Sequence, residues 1–587
     1  MEARSLSKRF AAGALFGGVF LFVCISLPAL AQFTCTTTPA DITCTNSGTA
    51  GAETNTASGA GQNATTINSG AVNGTILTQT NNGGNATTSN SGTVSGDMET
   101  LTGNGGNAIA VNSGAVNGLI ATFTWNGGNA TTFNYGTVNK GIFTQTFGGG
   151  NAIAVNSGVV SNSGVGSIAF QTSAWSGGNA TTINSGTVSN PGQTAIQLDG
   201  NNTTLTILPG SFIVGGIKLG GASNTVNIRE RNVDLTFDSL AHANVTGTVP
   251  YVVSGNRIVS VDPTSFGFTD RALMDFTHAL SGFLSSAPAG EPSGFKDGNA
   301  ASFTGANGVT AWAKGFYGQR VQPAEGIALR GVTGLSGGAM GFDGSALLDL
   351  RIGAFAGGGA ISSSIASNAG SAKSDIGFGG LYGRYNAGAA FLDAALTVGG
   401  LSNSTVRANI NNNMAANGPE TAKASFGGWF AEPEAALGYR YVLQDGWSLT
   451  PALKLRYLRA GIDGYTETGS AANLTVGARV PQDLEERAEL TLARTLKFDS
   501  GTDLHVSAHG GVLGLERVGG TAVSGTLLGQ GLGFAAPGKD SVAGGYGGLD
   551  LDLRIGEQLS LFGAGEYTAT NDQGSLVTAK GGLRWRF

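Results

Sequence analysis

Charge is scarce in this 587-residue sequence: Asp, Glu, Lys and Arg make up 12% of it, against roughly 25% in an ordinary soluble domain. A cytosolic enzyme's surface is not built from so few. The net charge of −6 is spread thinly, with no run of Lys or Arg, so nothing is laid out to track a phosphate backbone and nucleic acid is not an expected partner. Only 3 Cys and 4 His occur, and no His precedes His242, so the cysteines near the start lack the company that a metal site requires. Long hydrophobic runs are missing too. Past residue 31 there is no stretch of the ~18 unbroken apolar residues that a spanning helix needs, so a membrane after that point is crossed by strands.

What is present begins with Arg4, Lys8 and Arg9, an apolar run from Ala11 to Leu27, and Pro28-Ala29-Leu30-Ala31. This reads as a signal peptide over 1–31, with cleavage between Ala31 and Gln32. Cys24 leaves with it. Cys35 and Cys44 remain, nine residues apart, and export reaches an oxidising compartment, so the default is one short-loop disulfide.

At this length at least two domains are expected, because single cores rarely exceed about 250 to 300 residues. The first, 32–250, is a repeat. A block beginning Asn-Ala recurs at Asn63, Asn85, Asn107, Asn129, Asn151 and Asn179, four steps of 22 residues and one of 28. The six extra residues predict a loop around Ser161 to Gly166. Short pieces rich in Thr, Val and Ile, punctuated by Gly and Asn, predict a parallel β-helix with one coil per unit. Stacking at about 4.8 Å places Asn63, Asn85, Asn107, Asn129 and Asn151 in an amide ladder at one corner. Val72, Val94, Val116, Val138, Val160 and Val188 form an inner column, and Gly70, Gly92, Gly114, Gly136, Gly158 and Gly186 serve its turns. After Pro191 the repeat decays into bulkier alternation, as terminal coils require.

From about Val309 the pattern changes to longer alternating segments. Leu449, Pro451, Leu453, Leu455 and Tyr457 oppose Thr450, Lys454 and Arg456, and Trp429 to Tyr441 oppose Glu432, Glu434 and Arg440. Such alternation suits lipid outside and water inside. Twelve segments fall near 309–319, 334–342, 345–358, 375–385, 389–401, 424–443, 446–461, 485–499, 503–517, 541–553, 556–569 and 576–587, an even number as a transmembrane barrel requires. Lys454, Arg456, Glu432, Glu434, Arg440 and Asp393 then line the lumen. Leu583, Trp585 and Phe587 face outward at the carboxyl end, where an aromatic suits the membrane interface. Within the connecting segment 251–300, Thr269 or Asp270 is a candidate cap for a helix over 271–284, with Leu273, Phe276, Leu280 and Phe283 at helical spacing. Its place before the barrel predicts a plug in the pore. The fold class is therefore all-β: a parallel β-helix solenoid followed, over 301–587, by a 12-stranded antiparallel transmembrane barrel with a plug helix.

This layout resembles that of the monomeric autotransporters of type V secretion. The signal through Ala31, the Gly and Asn repeats, Phe212-Ile-Val-Gly-Gly-Ile217, the helix before Leu284, Trp312-Ala-Lys-Gly-Phe-Tyr-Gly, Gly380-Leu-Tyr-Gly-Arg-Tyr385 and Leu583-Arg-Trp-Arg-Phe587 carry the resemblance. It implies a monomeric barrel in outer-membrane lipid, assembled by periplasmic chaperones and the insertion machinery, that carries its own passenger outside. Some members cleave themselves at an Asn pair in the plug helix. Ser265 to Leu284 contains no Asn, so the passenger is expected to stay attached.

Catalytic chemistry is not expected. Gly334-Leu-Ser336-Gly-Gly338 matches a hydrolase pattern but lies in a barrel strand without the strand-to-helix elbow. His505 and His509 lie about 13 Å apart on a strand, too far to share an ion. Between residues 32 and 250 only four basic and eight acidic residues are scattered, and the corner residue is neutral Asn where a calcium-binding repeat uses Asp. No cofactor is expected. The leading reading of the passenger is a surface adhesin or self-association factor acting on a host or neighbouring-cell surface; the alternative is enzymatic activity on surface glycans.

Overall fold

The computed structural model describes residues 32–281 and 309–586, apart from 348, 416, 499–501 and 557. The signal segment with Ala31, Phe283 and Phe587 lie outside the described residues. Among those described, no helix is long and apolar enough to cross a membrane, which says nothing about strands.

Residues 34–247 wind into a parallel β-solenoid with three strands per coil, as in Ala108–Asn112, Ala115–Val116 and Ile120–Thr124. Each strand pairs in register with its copy one repeat away, Ala108 beside Ala86 and Ala130. The column from Val72 to Val188 is buried, beside a second from Ile76 through Met98, Ile120 and Ile142 to Phe170. The long coil keeps its register, Ile142 pairing with Phe170, because the extra residues bulge out between Ser161 and Ile168.

The amide ladder runs through a different Asn from the one expected. Asn46, Asn68, Asn90, Asn112, Asn134, Asn156 and Asn184 are buried, and each Nδ2 donates to the next Oδ1 at 2.7–2.8 Å. The Asn63 column instead lies at an exposed corner, where each Oδ1 accepts from the next backbone N–H, as from Asn85 at 2.8 Å and Asn107 at 2.9 Å. Strand alternation decides this: Ala64, Thr66 and Asn68 point in, and Asn63, Thr65 and Ile67 point out. Interior threonines satisfy one another across the coil, Thr78 with Thr66 and Thr100 with Thr88, both at 2.7 Å.

The Gly70 column also differs in its reason. None of the six glycines has a left-handed φ, so no turn demands them. A Cβ there would sit 1.9–2.1 Å from the carbonyl oxygen of the glycine one coil earlier; only glycine lets the coils approach this closely.

The C-terminal half is a closed antiparallel barrel of twelve strands: β1 (Val309–Gln322), β2 (Gly331–Leu347), β3 (Leu350–Ile365), β4 (Gly370–Ala387), β5 (Ala390–Asn412), β6 (Glu420–Tyr439), β7 (Trp447–Ile462), β8 (Gln482–Phe498), β9 (Thr502–Gly519), β10 (Ser541–Ile555), β11 (Leu559–Thr570) and β12 (Ser575–Arg586). β12 pairs with β1 to close it. Strands run past several of the expected limits, β2 and β5 most of all. Alternation sorts the faces: Leu381, Trp429, Leu437, Leu453, Leu455, Leu549 and Leu583 are exposed outward, while Glu432, Arg456 and Glu485 are buried inward. Residues 251–260, within the connecting segment, form a hairpin joined to the barrel sheet through Val233–Thr236.

Candidate functional site

One helix, α1 (Thr264–Ser281), stands inside the barrel. It starts seven residues, about two turns, before the segment expected. Asp262 Oδ1 accepts from the Thr264 N–H at 2.9 Å and from its hydroxyl, which satisfies a donor of the first turn, and Pro263 fits the helix start. Thr269 and Asp270 are therefore not caps: the Thr269 hydroxyl donates to the Ser265 carbonyl at 2.9 Å, and Asp270 pairs with Arg479 at 2.7 Å.

The helix presents two unlike faces. Leu273, Phe276 and Leu280 are buried in one apolar cluster with Trp312, Phe316, Phe355 and Phe378. Phe276 meets Phe316 and Phe378 edge-on, centroids 5.2 and 5.9 Å apart. It lies over Gly359, where a Cβ would come within 2.6 Å of its ring, so a strand glycine makes the socket for the plug's phenylalanine.

The other face is ionic. Arg320 of β1 grips both Asp275 oxygens, Nη2 at 2.7 Å, and Arg517 approaches Asp270 at 3.4 Å. Arg456 of β7 donates to the Thr277 hydroxyl at 2.7 Å while bound to Glu485 at 2.8 Å and Glu432 at 2.6 Å. His278 Nε2 lies 3.1 Å from Glu566, which Arg487 holds at 2.8 Å. Ser281 donates to Glu434 at 3.0 Å. Burial of so many charges is tolerable because each cation is matched to a carboxylate, whereas an unmatched one would cost several kcal/mol.

Of the residues singled out for the lumen, Glu432, Glu434 and Arg456 touch the helix or its ion-pair network directly. Lys454 pairs with Glu489 at 3.0 Å lower down, and Arg440 lines a polar cavity of about 190 Å³ beneath the helix with Arg384, Asp393, His505 and His509. His509 there bonds Asp550 at 2.8 Å and Glu566 at 3.2 Å. Asp275, His278, Arg320, Arg479 and Glu485 escape the sequence reading, which gives Asp270 only as a candidate cap. The signal available was a helix whose apolar stripe is interrupted by Asp and His, which a plain surface helix also has. Leu583 and Trp585 face outward on β12. Cys35 and Cys44 form a disulfide across the first hairpin of the solenoid, and Gln32 is exposed.

This arrangement, a twelve-stranded barrel stoppered by the helix that leads into it from a solenoid, defines a translocator class. Residues 311–566 match the family model of the autotransporter beta-domain. No curated protein matches the chain. Similar solved structures include the translocator domain of the autotransporter NalP from Neisseria meningitidis, with 20% identity and TM-score 0.43, covering 55% of this chain and 99% of that one. The beta domain of the Bordetella autotransporter BrkA has 18% identity and TM-score 0.37, covering 48% and 100%. The transport unit of the autotransporter AIDA-I from Escherichia coli has 12% identity and TM-score 0.33, covering 56% and 99%. Residues 311–566 are thus an autotransporter beta-domain, a C-terminal barrel that exports a passenger and has its place in the outer membrane.

Proposed function

We propose that the barrel displays its solenoid at the cell surface, still attached, as an adhesive or self-associating surface. One observation supports this most: from Thr100 to Leu198 the only charged residue is Lys140, yet Trp125, Phe147 and Trp175 are 40%, 40% and 47% exposed at matching points of successive coils. Trp125 and Phe147 stack at 6.0 Å, with Phe123 edge-on to both at 6.3 Å. An exposed aromatic ridge in a neutral surface is a mark of an interaction site, and repetition along the stack lets weak contacts sum. Outer-membrane lipid meets the apolar outer face of the barrel. The outer-membrane insertion machinery and periplasmic chaperones deliver it, and a host or neighbouring-cell surface is the passenger's partner.

Cells expressing the full chain should aggregate or attach more than cells expressing a chain lacking residues 33–250. Replacing Trp125, Phe147 and Trp175 together with Ser should remove most of that difference. Equal aggregation by all three strains refutes adhesion, and external protease that spares the N-terminal half of intact cells refutes display.

A further inference from the structure

The solenoid is closed at its two ends in different ways. At the start, Thr34–Thr37 folds back antiparallel on the first coil and is tied there by the Cys35–Cys44 disulfide. At the other end, the strand Phe212–Leu219 pairs with Thr187–Asp199 along one edge. Its other edge meets the solenoid's own chain at Ile217, bridged to Phe237.

At Ile213 and Gly215 that edge is met by the barrel. The end of β5 and the residue after it reach up beside the strand. Asn411 accepts from the Ile213 N–H through Oδ1 and donates to the Ile213 carbonyl through Nδ2, both at 2.9 Å. Its side-chain amide thus stands where the next coil's peptide group would be. The Gly215 N–H donates to the Asn413 carbonyl at 2.7 Å. Asn413 Nδ2 donates to the carbonyls of Gly215 at 2.9 Å and Thr236 at 3.1 Å, and its Oδ1 accepts from the Thr236 N–H at 2.8 Å.

Val233–Thr236 is also held in parallel register against Asn411 and Asn412. Asn411 and Asn413 are 4% and 1% exposed, so water does not reach these groups in their place. Arg407, bound to Glu467 at 2.6 Å and to the Ala472 carbonyl at 2.6 Å, fixes the strand extension to the neighbouring outer loop.

A repeat array needs a terminal unit that satisfies its last edge, and buried peptide groups left without partners are costly. We infer that residues 407–413 of the barrel are the C-terminal cap of the passenger, so the membrane-proximal coils take their ordered form only on a folded barrel. Folding of the two domains is thereby coupled through two asparagine side chains and a short strand pairing. The inference does not depend on what the passenger binds.

Hydrogen exchange followed by mass spectrometry on the full chain in detergent micelles tests this. In N411A/N413A, amides of residues 212–236 should exchange at least about tenfold faster, while coils from 63 to 184 and the barrel strands keep their protection. Asn413→Asp, which preserves shape but removes the two donated bonds, should reproduce part of the effect should the double variant fail to assemble. Asn412→Ala, whose side chain bonds Glu420 at 2.7 Å and not the solenoid, is the control. Exchange over 212–236 that is unchanged in both test variants, or raised no more than in the control, overturns the cap.

Discussion

The solenoid and the barrel are both built from alternating strands, yet each puts its polar groups inside for a different reason. In the repeating coils of the solenoid the interior polar atoms are neutral and recur with the coil, so Asn112 finds its partners in Asn90 and Asn134, copies of itself. In the barrel they are charged and unique, so Arg456 finds Glu432 and Glu485 from two other strands and Thr277 from α1. Repetition supplies partners automatically and needs no charge; a closed barrel around a single helix needs matched pairs placed one by one.

That contrast predicts a ranking of damage. Asp275→Leu should be worst, because it leaves the Arg320 guanidinium buried and unmatched at a cost of about 3–5 kcal/mol. The midpoint of heat-induced barrel opening, read by gel mobility, should fall, and the double change with Arg320→Leu should recover much of it. A double variant as unstable as the single would mean that packing, not charge, holds the plug.

Next comes Asn112→Leu, which strands one donor on Asn90 and one acceptor on Asn134 for about 2–4 kcal/mol. Asn107→Ala at the exposed corner should cost under about 1 kcal/mol. Hydrogen exchange over 108–112 compares the two, and equal effects would erase the distinction between the inner and outer ladders.

The smallest effect belongs to Glu99, whose pKa is held above its ordinary 4.5 by burial on the solenoid face and by the nearby Asp97 carboxylate. A raised folded-state pKa means a contribution to stability that is present below the ordinary value and lost as pH rises through the folded one. Glu99→Gln should therefore stabilise the passenger slightly at pH 7, by a few tenths of a kcal/mol, and make no difference at pH 4. Urea midpoints at the two pH values decide it, a gain at pH 4 alone being the contrary outcome.

Much of this architecture could be read without coordinates because its periods are strong. The 22-residue step fixed the coil, and the column from Val72 to Val188 could be placed inside. Alternation around Lys454 and Arg456 gave the barrel's faces and its twelve strands. Choosing the wrong asparagine came from weighing recurrence alone, since Asn63 and Asn68 recur equally. The parity of Ala64, Thr66 and Asn68, against the variable Thr65 and Ile67 positions, held the answer. The helix start was missed because Thr264 to Thr269 is poor helix-forming sequence with Gly267 in its midst. Tertiary contact overrides that: a Cβ on Gly267 would lie 2.3 Å from the Pro537 carbonyl oxygen. Pairs such as Asp275 with Arg320 and Asp270 with Arg479 join residues far apart in the chain, which no local pattern encodes.

The one long coil shows how much freedom the stack leaves to its corners. Between Ser161 and Ile168 the chain leaves the prism and returns, with Val165 97% exposed, while the strands on either side remain in step. Doubling such an excursion costs only about 0.6 kcal/mol in closure entropy. This corner is a graft point already present in the molecule, where a foreign peptide could be carried outward without the rest of the scaffold registering its length.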